Sequence, residues 1–323
     1  MKMNSRIDPE LVAPLQEILN LLGGELLNLN DIPAARTMMD QMSAAMAAGA
    51  PLIEGVTIAD SQVPSPEDAA DVAVRIYQPT ERPDTLPALL WIHGGGYVLG
   101  NVEQDNLAAK HLAKAVQCVV VSVEYRLAPE HPFPAPVEDC YAALKWLSDH
   151  SDELGVDQSR IAIGGPSAGG GLAAGLALLA RDRREVEVAF QLLIYPMIDD
   201  RNIALASEAI PDTYVWSREA NLIGWRSYLG REPGGADVSP YAAASRATDL
   251  SGLPRAYIAV GELDLFLNEN IEYAQRLLEA GVSTELHVYP GAFHGFNAIV
   301  PGADISQRFN AGSENALKRV LYC

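Results

Sequence analysis

The chain has 323 residues, 49% of them hydrophobic and 20% charged, with a formal net charge of −19. That length suits one large domain with a sizeable core, and the acidity argues against nucleic acid or an anionic membrane surface as the main partner. Cys118, Cys140 and Cys323 form no regular framework and fit a reducing cytoplasm, and no run has the make-up of a transmembrane helix or a signal peptide.

Residues 1–50 are helical in pattern, with apolar positions at Leu15, Ile18, Leu19, Leu22, Leu26 and Leu27, then Met38, Met39, Met42 and Met46. These faces are expected to pack on the rest of the protein, although methionines also suit the wall of an apolar pocket. From Val56 the period changes. Val56–Val63 and Val72–Tyr77 alternate like half-buried strands around a break at Pro64–Pro66, which predicts an antiparallel edge.

Leu86–Ile92, Cys118–Val123, Arg160–Gly164, Phe190–Tyr195, Arg255–Val260 and Thr284–Tyr289 read as further short strands. Helix-like segments near 103–116, 137–149, 168–181, 268–280 and 305–320 separate or follow them. This alternation predicts an α/β fold, a mostly parallel sheet of about eight strands with helices on both faces. Residues 200–245 interrupt it, carrying Tyr214, Trp216, Trp225 and Tyr228 without a strand. An insertion at a strand's carboxyl end sits over the ligand crevice of such a sheet. The expected division is a core of 51–199 and 246–323 under a cap of 1–50 and 200–245, with Tyr214 and Trp216 lining a substrate pocket.

Gly165-Pro166-Ser167-Ala168-Gly169 is the one G-x-S-x-G of the chain, between an apolar strand and a helix-forming run. A nucleophile elbow needs that context: the turn is strained, bulky neighbours would clash, and the helix N-terminus favours developing negative charge. His93-Gly94-Gly95-Gly96 ends the strand before it. A glycine-rich loop there lets backbone N–H groups point at an oxyanion.

The general base should follow the serine, and His294, flanked by Gly295 just after the last strand, fits. His287 falls inside a strand pattern, and His111, His131 and His150 precede the serine. The expected acid partner is Asp264, after the strand Ala256–Val260; Asp199, the next choice, and Asp200 follow the preceding strand, and Glu262 is nearby. Gly169–Ala174 formally fits a dinucleotide fingerprint but lies inside the helix, where it cannot place a pyrophosphate; close helix–sheet packing explains its glycines better. There is no metal motif such as H-E-x-x-H.

With these residues in place, the chain resembles the bacterial hormone-sensitive-lipase-like (family IV) esterases of the α/β-hydrolase superfamily. The resemblance runs through His93–Gly96, Tyr125-Arg126-Leu127-Ala128-Pro129-Glu130-His131-Pro132-Phe133-Pro134-Ala135, Ser167–Gly170, Tyr195-Pro196, Asp264 with Glu269, and His294-Gly295-Phe296. It implies a helical cap from the N-terminus and from the segment after the sixth strand. It also implies oxyanion donors at the N–H groups of Gly95, Gly96 and Ala168, a preference for short to medium acyl chains, and no cofactor.

One departure stands out: the family usually has Asp or Thr where Pro166 precedes the serine. The implied partner is a small-molecule ester, with no nucleic acid and no membrane, and homodimerisation is left open. An amidase or deacetylase would share this machinery, and the same scaffold also serves non-catalytic ligand binding.

Overall fold

The computed structural model describes residues 5–21, 27–50, 52–64, 70–202 and 215–322. Leu22, Leu26, Pro66, Tyr214 and Cys323 lie outside the described residues, as does the side chain of Met46.

The strands are β1 (Val56–Val63), β2 (Val72–Pro79), β3 (Leu86–Ile92), β4 (Val119–Val123), β5 (Val156–Pro166), β6 (Phe190–Ile194), β7 (Arg255–Gly261) and β8 (Thr284–Tyr289). The helices are α1 (Pro9–Leu21), α2 (Ile32–Gly49), α3 (Asn106–Val116), α4 (Ala135–Asp149), α5 (Ser151–Leu154), α6 (Ala168–Arg183), α7 (Arg218–Leu229), α8 (Leu267–Glu279), α9 (Phe296–Ile299) and α10 (Asp304–Leu321). The sheet has the order β1-β2-β4-β3-β5-β6-β7-β8. β2 is antiparallel to both β1 and β4, and the remaining pairs are parallel. Both the antiparallel edge and the parallel body match the sequence patterning.

Strand periodicity divides the core into two layers. Leu86, Ala88, Leu90 and Ile92 of β3 face α4, α6 and α8, whereas Leu89 and Trp91 face α3 and α10. β4 repeats the pattern, with Val119, Val121 and Val123 on the first side and Val120 on the second. Leu11, Leu15 and Leu19, one helical turn apart on α1, are buried in the second layer, so this apolar face packs on the protein. Each contributes about 2 kcal/mol by its burial. The Met38, Met39 and Met42 face of α2 is only half-buried.

From β3 the chain moves outward to β4, returns to β5 on the other side, and then proceeds to β8. The direction of winding therefore reverses between β3 and β5, which opens a crevice at their carboxyl ends. The two G-rich turns picked out in the sequence follow those two ends. The N-terminal segment is tied to the same edge: the Asp8 N–H donates to Gly291 O at 3.1 Å, and Arg6 pairs with Glu262. Arg36 of α2 donates to Val98 O at 2.8 Å and to Ala128 O at 2.9 Å, and pairs with Glu130.

Candidate active site

Ser167 joins β5 to α6 at φ 56° and ψ −120°, a conformation L-residues rarely adopt. Its backbone is over-determined. The Ser167 N–H donates to Ile194 O at 2.8 Å, and Ser167 O accepts from Met197 N at 3.0 Å and Gly171 N at 2.9 Å. The helix start also presses on β3 and on the chain leaving β6: a Cβ on Gly169 would stand 2.0 Å from Ile92 O, and one on Gly171 2.1 Å from Met197 O. Close packing of this helix is the reason for its glycines, as expected. Pro166 packs against the loop after β3: a Cβ on Gly94 would stand 3.1 Å from Pro166 O and 3.6 Å from its Cγ.

The loops after β7 and β8 are bonded to each other, Glu262 N–H to Tyr289 O and Leu263 N–H to Ala292 O, both at 2.9 Å. That link brings Asp264 beside His294. Asp264, fully buried, accepts from the Phe266 N–H at 2.9 Å through one oxygen and meets His294 Nδ1 at 2.8 Å through the other. A carboxylate is an acceptor only, so Nδ1 carries the proton and Nε2 keeps its lone pair. His294 Nε2 lies 3.0 Å from Ser167 Oγ. This line can accept a proton from the hydroxyl and return it to a leaving group. Tyr195 (ring centroids 4.7 Å) and Phe266 (5.1 Å) pack edgewise on the His294 imidazole, and the Tyr195 hydroxyl donates to Asn297 Oδ1 at 2.9 Å.

The alternative acids are engaged elsewhere. Asp199 pairs with Arg201, Asp200 with Arg246, and Glu262 with Arg6. The other histidines are likewise apart from Ser167. His111 meets Glu314, His287 meets Glu285, His150 bonds Trp146 O, and His131 is exposed.

Gly95 (φ 115°) and Gly96 (φ 59°) form the turn after β3. Ala168 opens α6, so its N–H is one of the donors a helix start leaves without an intrahelical partner. Among the described residues, no backbone hydrogen bond outside regular elements uses the Gly95 or Gly96 N–H. His93 anchors this loop from below. Its Nδ1–H donates to Gly94 O at 2.8 Å, its ring stacks on Tyr125 at 4.1 Å, and the Tyr125 hydroxyl donates to His93 O at 3.0 Å.

Burial lowers the His93 pKa to about 4, since a buried imidazolium would lose its hydration. Because the folded value lies below the unfolded ~6.5, the stability contributed by neutral His93 is complete above pH 6.5 and is lost as pH falls towards 4. The stability gap between wild type and His93→Asn should therefore shrink by about 2 kcal/mol from pH 7.5 to pH 5. Urea midpoints at both pH values check this, and a constant gap would mean His93 titrates as in the unfolded chain.

Two features escaped the sequence. Glu269 was visible only as part of a motif. It is buried, its pKa driven well above the usual carboxylate range by desolvation, and it accepts from the N–H groups of Ile198 (2.8 Å) and Asp199 (3.2 Å) and from Asn202 Nδ2 (2.6 Å). It thereby pins the chain leaving β6. Trp216, expected at a pocket wall, is buried with its six-membered ring against Gly96. No local pattern announces such a contact across 120 residues. Tyr214, its expected companion, lies outside the described residues. No helix among the described residues is long and apolar enough to cross a membrane.

Residues 89–298 match the model of a family described as having the α/β-hydrolase fold. A carboxylesterase of Mycobacterium tuberculosis, NlhH, is 39% identical over 263 residues, 78% of this chain and 79% of that protein. Among solved structures, a bacterial heroin esterase is 44% identical with a TM-score of 0.92, covering 98% of both chains. A hyperthermophilic esterase from the archaeon Pyrobaculum calidifontis is 34% identical with a TM-score of 0.87, covering 98% of this chain and 99% of that one. The chain belongs to the hormone-sensitive-lipase-like (family IV) branch of the α/β hydrolases.

Proposed function

We propose that the protein is a serine carboxylesterase that hydrolyses small esters through an acyl-enzyme. The observation that carries this reading is the continuous line from buried Asp264 through His294 to Ser167 on a strained turn, with the glycine loop alongside. Relatives named carboxylesterase and esterase favour an ester over an amide or a ligand that is only bound.

Ser167 Oγ attacks the ester carbonyl carbon as its proton passes to His294 Nε2, and Asp264 stabilises the imidazolium. The carbonyl oxygen becomes an oxyanion that accepts hydrogen bonds from the N–H groups of Gly95, Gly96 and Ala168. Collapse breaks the bond to the alcohol, which leaves with the proton from His294. Water then repeats the sequence on the acyl-enzyme, releasing the acid and restoring Ser167. This chemistry uses side chains and backbone alone.

Residues 1–50 and 200–245 act as a cap over a core of 51–199 and 246–323. The ties of α2 to Val98 and Ala128, and the seat of Trp216 at Gly96, support that division. The cysteine usage, with Cys118 and Cys140 both free and buried, supports the cytoplasm as the compartment.

A fluorophosphonate should label one site per chain, at Ser167. On nitrophenyl esters, kcat/KM should rise through short acyl chains, as each buried methylene adds about 0.8 kcal/mol, peak at short to medium length, and then fall. Absence of labelling at Ser167 would defeat the enzyme reading, and an optimum at long, lipid-like chains would defeat the short-chain reading.

A further inference from the structure

The two oxyanion-loop glycines are held in different ways. Gly95 is fixed by its own loop, its carbonyl accepting from Val98 N at 3.1 Å and Leu99 N at 2.8 Å. Gly96 is fixed by a distant segment, the one between β6 and β7. A Cβ added to Gly96 would lie 2.0 Å from Trp216 Cη2 and 2.5 Å from its Cζ2, so the indole edge rests directly on the glycine. Beside the indole, α7 meets the loop at Gly224, where a Cβ would come within 2.9 Å of Gly96 O and 3.4 Å of Trp216 Cζ2.

The indole is itself oriented. Trp216 Nε1–H donates to Asn221 Oδ1 at 3.3 Å, and Asn221 Nδ2 donates to Asn202 O at 3.2 Å. The next residue of the loop continues the attachment: Tyr97 stacks on Tyr228 of α7 at 4.0 Å, and its hydroxyl donates to Met197 O at 2.6 Å.

We infer that Trp216 and Gly224 are positioning residues for the Gly96 N–H, so that the segment covering the site also sets the geometry of the oxyanion donors. The inference rests on the esterase reading above. Gly96 sits at φ 59° with no side chain of its own to restrain it. Preorganised donors stabilise a tetrahedral oxyanion only while their aim is kept, and an error of about 1 Å costs on the order of a hundredfold in rate. Trp216 supplies the restraint at the Gly96 Cα. Gly224, lacking a Cβ, lets α7 approach closely enough to supply it at the Gly96 carbonyl.

Two substitutions that disturb Gly96 in opposite ways separate this role from that of a pocket wall. Trp216→Ala removes the indole, while Gly224→Ala leaves Trp216 in place, crowds the Gly96 carbonyl, and raises helix propensity. Both should lower kcat/KM by between about tenfold and a hundredfold at every acyl length, leaving the preferred length unchanged. A trifluoromethyl ketone, which takes up Ser167 Oγ at its carbonyl carbon and so carries an oxyanion, should lose affinity by a similar factor. Trp216→Phe should recover part of the loss by restoring a ring.

The inference is overturned if Trp216→Ala moves the optimum to longer chains while keeping wild-type kcat/KM on its best ester, which would make the indole a pocket wall alone. It is also overturned if Gly224→Ala matches wild type in both readouts, and this variant decides the matter should Trp216→Ala fail to fold. Failure of wild type to be labelled at Ser167 by a fluorophosphonate would instead remove the esterase reading on which the inference stands.

Discussion

Replacing Ser167 with alanine should reduce ester turnover by roughly six orders of magnitude while leaving the fold intact. The strained turn does not depend on the hydroxyl. Its φ of 56° is held by backbone hydrogen bonds to Ile194 O, Met197 N and Gly171 N, which alanine retains. What disappears is the one oxygen that His294 Nε2 meets at 3.0 Å. With no nucleophile there is no acyl-enzyme, and the remaining groups can only orient a water and stabilise its oxyanion. The measurement is nitrophenyl ester hydrolysis by purified variant and wild type, alongside circular dichroism. Turnover within tenfold of wild type in a folded variant would mean that another group attacks the ester.

Asp264→Asn should lower kcat by roughly four orders of magnitude, for a reason confined to one proton. Asp264 is fully buried, with one oxygen on the Phe266 N–H and the other 2.8 Å from His294 Nδ1. Asparagine is nearly isosteric and can keep the bond to Phe266 through its carbonyl oxygen. Its amide then turns N–H groups towards Nδ1, which favours the tautomer with the proton on Nε2. A protonated Nε2 cannot take the Ser167 proton. Asp199→Asn is the matched control: Asp199 is paired with Arg201, so its loss should leave kcat within about tenfold of wild type. Should Asp199→Asn have the larger effect in a folded protein, the role of acid would belong to Asp199.

The short continuous apolar runs of β3 and β4, buried at every position because helices cover both faces, and the one-turn spacing of Leu11, Leu15 and Leu19, are local properties of the chain. Period 2 and period 3.6 impose opposite-face and same-face burial wherever the segment is placed, so most strands and main helices could be read with bounds close to those found; β5, read as Arg160–Gly164, runs from Val156 to Pro166 because its polar first half, Asp157–Arg160, carries no apolar signal. The serine turn was equally local, because G-x-S-x-G between an apolar strand and a small-residue helix is a demand of backbone sterics within five positions.

Distance along the chain is where such reading stops. His294 lies 127 residues from Ser167 and 30 from Asp264. Several carboxylates follow strand ends, and sequence could rank Asp264 and Asp199 without separating them. Their surroundings differ because Leu263 is hydrogen-bonded to the histidine loop, whereas Asp199 turns to Arg201. The seat of Trp216 on Gly96 is of the same kind. Whether an aromatic ring meets an acyl chain or a backbone glycine depends on how α7 crosses the loop after β3. That crossing is set by close approach at Gly224 and by the stacking of Tyr97 on Tyr228, contacts that exist only after the sheet has brought the ends of β3 and β6 to the same edge.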